Sequence, residues 1–268
     1  MTSVTGIIGT TAPVITPYLK GFYPINHGTA VTDKVLIDPT GTGANIRTHN
    51  SVNLGANFWS TQTGRGYFDT TATRFGNPTL TDFEIGETNT SYILSCRIRT
   101  ALAPIAIAAI MGKRQQTNFY GNLMSVRTDG AIHHRYRGAH GNFDGNSTTS
   151  IADDAEHHVV LWVDKTANRE IYLDGVADWA TGTQDMTGSL AGDTSATVAN
   201  FTIGFEGTLE GITDKLLYDG VTPVYLWDVH IYMKTGTSSP AALPTDVSGV
   251  ISYLKNNLYS PLPADFWS

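Results

Sequence analysis

The chain has 268 residues, a formal net charge of −7, and 15% charged against 41% hydrophobic residues. That is enough apolar material for one sizeable core. The acidic balance and the lack of a basic run exclude the electrostatic stripe on which nucleic-acid binding depends. Cys96 is the single cysteine, so neither a disulfide within the chain nor a cysteine-ligated zinc site can form.

Thr and Gly are abundant, and they favour strands and turns respectively. Residues 1–17, with Pro13 and Pro17, read as an extended arm. Such an arm is either an unpacked end or a strand that docks on a partner. Residues 1–16 carry no basic stretch followed by an apolar one, so no export signal is expected there. No apolar run approaches the ~18 residues of a membrane span, so no membrane insertion is expected.

Between residues 18 and 258 the signals are mainly strands and turns. Residues 92–99 alternate, with Tyr92, Leu94, Cys96 and Ile98 on one face and Ile93, Ser95, Arg97 and Arg99 on the other. Cys96 is therefore expected as a buried thiol. Residues 122–127 and 131–137 flank Asp129-Gly130, a hairpin signal. Residues 157–164 and 170–173 form a second pair, and Asp174-Gly175 turns the chain into Val176. Strands at 201–205 and 224–233 follow. Many short strands with Gly-rich turns predict a sandwich or barrel. One helix is expected near the end: Val247, Val250, Ile251, Leu254 and Leu258 recur at helical spacing after Thr245 and Asp246, either of which can cap it. The expected organisation is an arm (1–17), one sandwich domain (18–258) and a tail (259–268).

Several segments in this order resemble the laminin G-like, concanavalin A-like family. They are Asp38 to Asn45, Gly66-Tyr67-Phe68-Asp69, the strand at Tyr92, Glu156-His157-His158-Val159-Val160, Ile171-Tyr172-Leu173-Asp174-Gly175-Val176, Phe201 to Gly204, and Leu226 to Tyr232. Glu156 stands where that family usually has Trp. The resemblance implies an all-β, two-sheet antiparallel jelly-roll sandwich with one short C-terminal helix.

Glucanases of this architecture present Glu-x-Asp on one strand. Asp82 and Glu84 are the nearest approach, in reversed order and at an expected sheet edge, so no catalytic residue is assigned. His133 and His134 are adjacent on a strand and face opposite ways, as do His157 and His158. They are therefore expected to be structural. Relatives in the resembled family hold calcium through loop carboxylates, which makes Asp69, Asp82, Asp144 and Asn146 candidate ligands. The alternative is that these residues only build turns. Trp59, Tyr120, Phe143 and Trp179 lie in or beside polar, Gly-rich stretches and are candidates for a sugar-stacking platform. Trp162 and Trp227 sit in apolar strands and are expected in the core. The expectation is a non-enzymatic, lectin-like structural protein of a bacteriophage virion. It would decorate the head, form homo-oligomers, contact other virion proteins through the arm and tail, and bind host-surface glycan. A glycan-binding tail or receptor-binding protein is the alternative, with a glycoside hydrolase behind it.

Overall fold

The computed structural model describes residues 18–23, 25, 31–32, 35–36, 46–48, 67–68, 75–76, 83, 85, 89–114, 121–138, 141–182, 185–187, 199–207, 213–237 and 241–256. The strands before the domain's centre are β1 (Leu19–Tyr23), β2 (Val31–Thr32), β3 (Val35–Leu36), β4 (Ile46–Thr48), β5 (Tyr67–Phe68) and β6 (Phe75–Gly76). The long strands follow: β7 (Thr90–Thr100), β8 (Ala108–Arg114), β9 (Gly121–Val126), β10 (Ala131–Gly138), β11 (Gly141–Ser150), β12 (His157–Val163) and β13 (Arg169–Leu173). The chain closes with β14 (Val176–Ala177), β15 (Thr181–Gly182), β16 (Phe201–Ile203), β17 (Glu206–Gly207), β18 (Thr213–Asp214), β19 (Val224–Thr235) and the helix α1 (Val247–Asn256).

Among the described residues the strands form two large antiparallel sheets. One has seven strands in the order β1-β19-β7-β12-β13-β14, with β5 also paired to β19. The other has ten, in the order β15-β11-β10-β9-β8-β16-β6-β4-β3-β2. A small β17-β18 ribbon accompanies them. The all-β sandwich expected from the sequence is what the structure has.

Alternation explains the layers. On β7, Tyr92, Leu94, Cys96 and Ile98 enter the core between the sheets, where they meet Met111, Met124, Val126 and Ile132 from the opposite sheet. Each fully buried aliphatic side chain there contributes roughly 1.5–3 kcal/mol. Burial also pushes the Cys96 thiol far above its ordinary pKa, with Asp228 adding to the rise, so Cys96 is an inert core residue.

On β19 the apolar parity changes partway along. Val224 and Leu226 point inward, and so do Val229, Ile231 and Met233. A regular strand cannot bury both sets, because they differ by an odd step. A bulge resolves the conflict: Trp227 pairs with Arg97 and His230 with Ser95, so two residues stand opposite Cys96. Asp228 takes a left-handed φ of 53° at this point.

The other face of the seven-stranded sheet carries a second apolar layer. Ile93, Val160, Trp162 and Tyr232 pack beneath Leu243, Val250, Ile251 and Leu254 of the C-terminal segment. Trp162 and Trp227 are both buried, as expected. Asp246 caps the helix by accepting from the Gly249 N–H at 2.9 Å. At the far end Arg97 donates to the Lys255 carbonyl, which has no partner within the helix. Arg97 is also paired with Glu156 at 2.9 Å and Asp228 at 3.4 Å. Glu156 is thus one of two carboxylates that hold Arg97 in this clamp.

Candidate functional site: the outer face of the ten-stranded sheet

Two long strands, β10 and β11, pair with Arg135 opposite Asp144, Arg137 opposite Asn142 and His133 opposite Asn146. The intervening Ile132, His134 and Tyr136 turn inward, and Ile132 and Tyr136 join the core. The three polar pairs therefore share the outer face of the sheet. Arg135 donates to the Asp144 carboxylate at 2.9 Å, with the two side chains 30% and 48% exposed. This pair is the open centre of the ladder. His133 is buried beside it, within 3.3 Å of the Ser125 hydroxyl. Burial and the Arg135 charge push its imidazole down to about 4, outweighing Asp144, so at neutral pH it is an uncharged hydrogen-bonding group.

Inward along the sheet the strip in register with Arg135 is buried. Leu123 lies opposite Arg135, Gly112 opposite Leu123, Thr202 opposite Gly112 and Gly76 opposite Thr202. A Cβ on Gly112 would lie 2.4 Å from the Asn122 carbonyl oxygen, so the close approach of β8 and β9 requires glycine there. The floor is bounded by a buried ion cluster in which Glu206 pairs with Arg114 at 2.9 Å and Lys215 at 2.5 Å. Burial holds the Arg114 guanidinium below its ordinary pKa, offset in part by Glu206. Asp144 on β11 and Glu206 on the β17-β18 ribbon are each tied to a cation. The array offers alternating donors and acceptors rather than a paired acid and base.

The structure splits the sequence-selected candidates. Phe143, Asp144 and Asn146 lie on β11, a ten-residue strand, whereas the sequence suggested a Gly-rich turn or loop. The strand forms because Asp144 gains its cross-strand partner and because Gly145 leaves room for Trp179. A Cβ at Gly145 would sit 1.9 Å from the Trp179 ring. Asp144 and Asn146 share the outer face, and Asp144 Oδ1 accepts from Arg135 Nε at 2.9 Å. Among the described residues no group of three or more His, Cys, Asp or Glu side chains is placed to hold a metal ion. Phe143 and Trp179 are half-buried and pack against the core. Trp59, Tyr120, Asp69, Asp82 and Glu84 lie outside the described residues, as do the arm and the tail.

Phe143 and Trp179 belong to a polar staple between the sheets that sequence reasoning missed. Arg169, fully buried on β13, lies under the Trp179 ring at 4.9 Å and donates to the Phe143 carbonyl at 2.6 Å. Its guanidinium is also 3.0 Å from the His134 ring, whose far nitrogen is 3.4 Å from the Tyr92 hydroxyl. Lys165 reaches the Tyr136 hydroxyl at 3.3 Å. Burial lowers the Arg169 pKa to about 10 and drives that of His134 well below its usual value. Lys165 and Arg169 flank the connection between β12 and β13, and nothing in the local sequence marks them as interior. His158 lies on the other side of the seven-stranded sheet, 2.9 Å from Ser95, so it shares no site with His134.

No protein-family model matches the chain, nor does the sequence of any curated protein. Solved structures do resemble it. The binding domain of Paraclostridial Mosquitocidal Protein 1 aligns over 89% of this chain and 52% of its own, with 14% identity and a TM-score of 0.57. The botulinum neurotoxin serotype G binding domain aligns over 81% and 48%, with 13% identity and a TM-score of 0.53. The Trypanosoma rangeli sialidase in complex with sialic acid aligns over 94% and 35%, with 16% identity and a TM-score of 0.56. The chain thus spans about half the toxin domains and about a third of the sialidase. What it shares with them is the β-sandwich fold.

Proposed function

We infer that the chain is a non-catalytic, lectin-like module that binds glycan on the outer face of its ten-stranded sheet. The observation that carries this reading is the solvent-facing Arg135–Asp144 pair, flanked by Arg137–Asn142 and His133–Asn146. A sugar presents hydroxyls that donate and accept at once, and a flat array of guanidinium, carboxylate and amide groups matches them. The fold is used for binding in the toxin domains it resembles. One further similar structure is of the botulinum neurotoxin type C, whose passage into cells depends on two ganglioside molecules.

The low-charge, Thr- and Gly-rich composition supports placing this module on a virion, as a bacteriophage head-decoration protein contacting host-surface glycan. A glycan array probed with the full chain tests the binding reading. Selective signals are expected, and a blank array overturns it. Proteomics of purified particles tests the virion placement separately, with the protein expected at stoichiometric copy number. Its absence from particles would leave a glycan-binding module without a virion.

A further inference from the structure

Two polar atoms of the outer-face ladder face each other without bonding. His133 and Asp144 are diagonal neighbours on β10 and β11, since Arg135 lies opposite Asp144 and His133 opposite Asn146. The His133 Nε2 atom stands 3.8 Å from Asp144 Oδ1, the oxygen that also accepts from Arg135 Nε at 2.9 Å. That gap is too wide for a direct hydrogen bond and narrow enough for one oxygen atom to lie within reach of both. The Asp144 side chain is 48% exposed, so the gap is reached from solvent.

The imidazole is held so that this nitrogen alone is presented. Its Nδ1 lies 3.3 Å from the buried Ser125 hydroxyl on β9. Among the described residues Nε2 makes no hydrogen bond, yet it is not one of the polar atoms sealed from solvent without a partner. The carboxylate beside it favours the tautomer with the hydrogen on Nε2, and Ser125 then donates to Nδ1. Burial, then the Arg135 charge, with Arg127 and Arg169 behind it, outweigh Asp144 and keep the ring neutral at neutral pH. An uncharged ring does not draw the carboxylate across, so the gap stays open. Nε2–H can only donate and Oδ1 can only accept. A hydroxyl, which accepts and donates at once, satisfies both. A phosphate or carboxylate brings only acceptors and would confront Asp144, and an ammonium brings only donors and would confront Nε2–H.

We propose that His133 and Asp144 form the specificity-determining pair of the glycan face, bridged by one free sugar hydroxyl that accepts from Nε2 and donates to Oδ1. The proposal rests on the reading of that face as a glycan site and names the group it selects. The ligand is a sugar whose contacting position carries an unsubstituted hydroxyl rather than an acidic or amino group. A site built to bond a hydroxyl discriminates against the analogue that lacks it, because its own polar groups are then left unpaired.

Titration calorimetry of an array-selected oligosaccharide and its monodeoxy analogues with the full chain reads the bridge directly. One analogue should bind wild type at least about tenfold more weakly than the parent sugar. His133→Asn keeps an amide near the place of Nδ1 and removes Nε2. It should weaken the parent about tenfold and narrow the difference between the parent and that analogue. His133→Gln can bring an amide N–H to the place of Nε2 and should recover part of both. A purely structural role for His133 would weaken parent and analogue alike. A wild type that discriminates against no monodeoxy analogue overturns the proposal, and so does a His133→Asn variant that keeps full discrimination. Loss of binding in Arg135→Ala beside unchanged binding in His133→Asn would overturn this proposal and leave the glycan face standing. A wild type that binds no glycan overturns the face and the pair together.

Discussion

Gly145→Ala is the substitution whose effect the structure specifies most closely. The glycine does not occupy the left-handed region, so the cost is steric. The new Cβ would lie 1.9 Å from Trp179 Cζ2, 2.3 Å from Cη2 and 2.8 Å from Cε2. Ordinary contact begins near 3.4 Å, so the indole must retreat by 3.4 − 1.9 = 1.5 Å or more. That displacement lifts the ring off the Arg169 guanidinium, now 4.9 Å from its centre, and breaks the 3.3 Å bond from Nε1 to the Gly182 carbonyl. Overpacking of this kind costs about 1–3 kcal/mol, and a desolvated cation–π contact is worth up to about 2 kcal/mol. A net loss of about 2 kcal/mol corresponds to a fall in Tm of about 4–8 °C in a chain of this size. Thermal unfolding followed by circular dichroism gives the shift, and tryptophan emission before unfolding reports the movement of the ring. Trp179→Leu should relieve the clash, so the double variant should lose less than the two single losses added together. A Gly145→Ala protein with unchanged Tm and unchanged emission would refute the packing described for β11.

Other expectations concern the ion clusters and the core. Arg114→Met leaves Glu206 buried with only Lys215 as its described cation and should cost about 2–3 kcal/mol in urea denaturation; retention of wild-type stability would show that the cluster is dispensable. His157 lies 2.7 Å from an Asp174 oxygen and 3.1 Å from one of Asp153. Partial burial pulls its pKa down, but the two carboxylates outweigh this and raise it above the ordinary value. A raised folded-state pKa gives stability that is full below the unfolded value near 6.5 and fades as pH rises through the folded one. The stability gap between wild type and His157→Gln should therefore be largest near pH 5.5 and shrink by pH 8.5, and a gap that widens with pH would contradict the assignment. Cys96 should resist a thiol reagent in the native protein and react only as fast as the domain opens; immediate labelling would place it outside the core.

Much of the fold was legible because local and global signals agreed. The period-two run in β7, the Asp129-Gly130 and Asp174-Gly175 turns and the Asp246 cap each state their structure within a few residues. The bulge in β19 was legible in principle, since Val224 and Leu226 cannot share a face with Val229 and Ile231 in a regular strand. The candidate site was harder to see for the opposite reason. β11 contains two glycines, two asparagines and an aspartate, which in isolation spell a turn. Only the partners Arg135, across the ladder, and Trp179, 34 positions along from Gly145, make it a strand. Arg114 and Glu206, 92 residues apart, meet only once the sheet is formed. The two-residue strands β2 and β3 exist through pairing alone and carry no readable pattern.

The central claim, that glycan binds at the Arg135–Asp144 ladder, is tested most directly by titrating an array-selected oligosaccharide into wild type and Arg135→Ala in parallel. Arg135 is partly exposed and, among the described residues, its ion pair is with the exposed Asp144, so its removal should leave stability within about 0.5 kcal/mol of wild type. Affinity should fall at least about tenfold in Arg135→Ala with the fold intact. Equal affinities for the two proteins would contradict the claim and place the glycan site elsewhere.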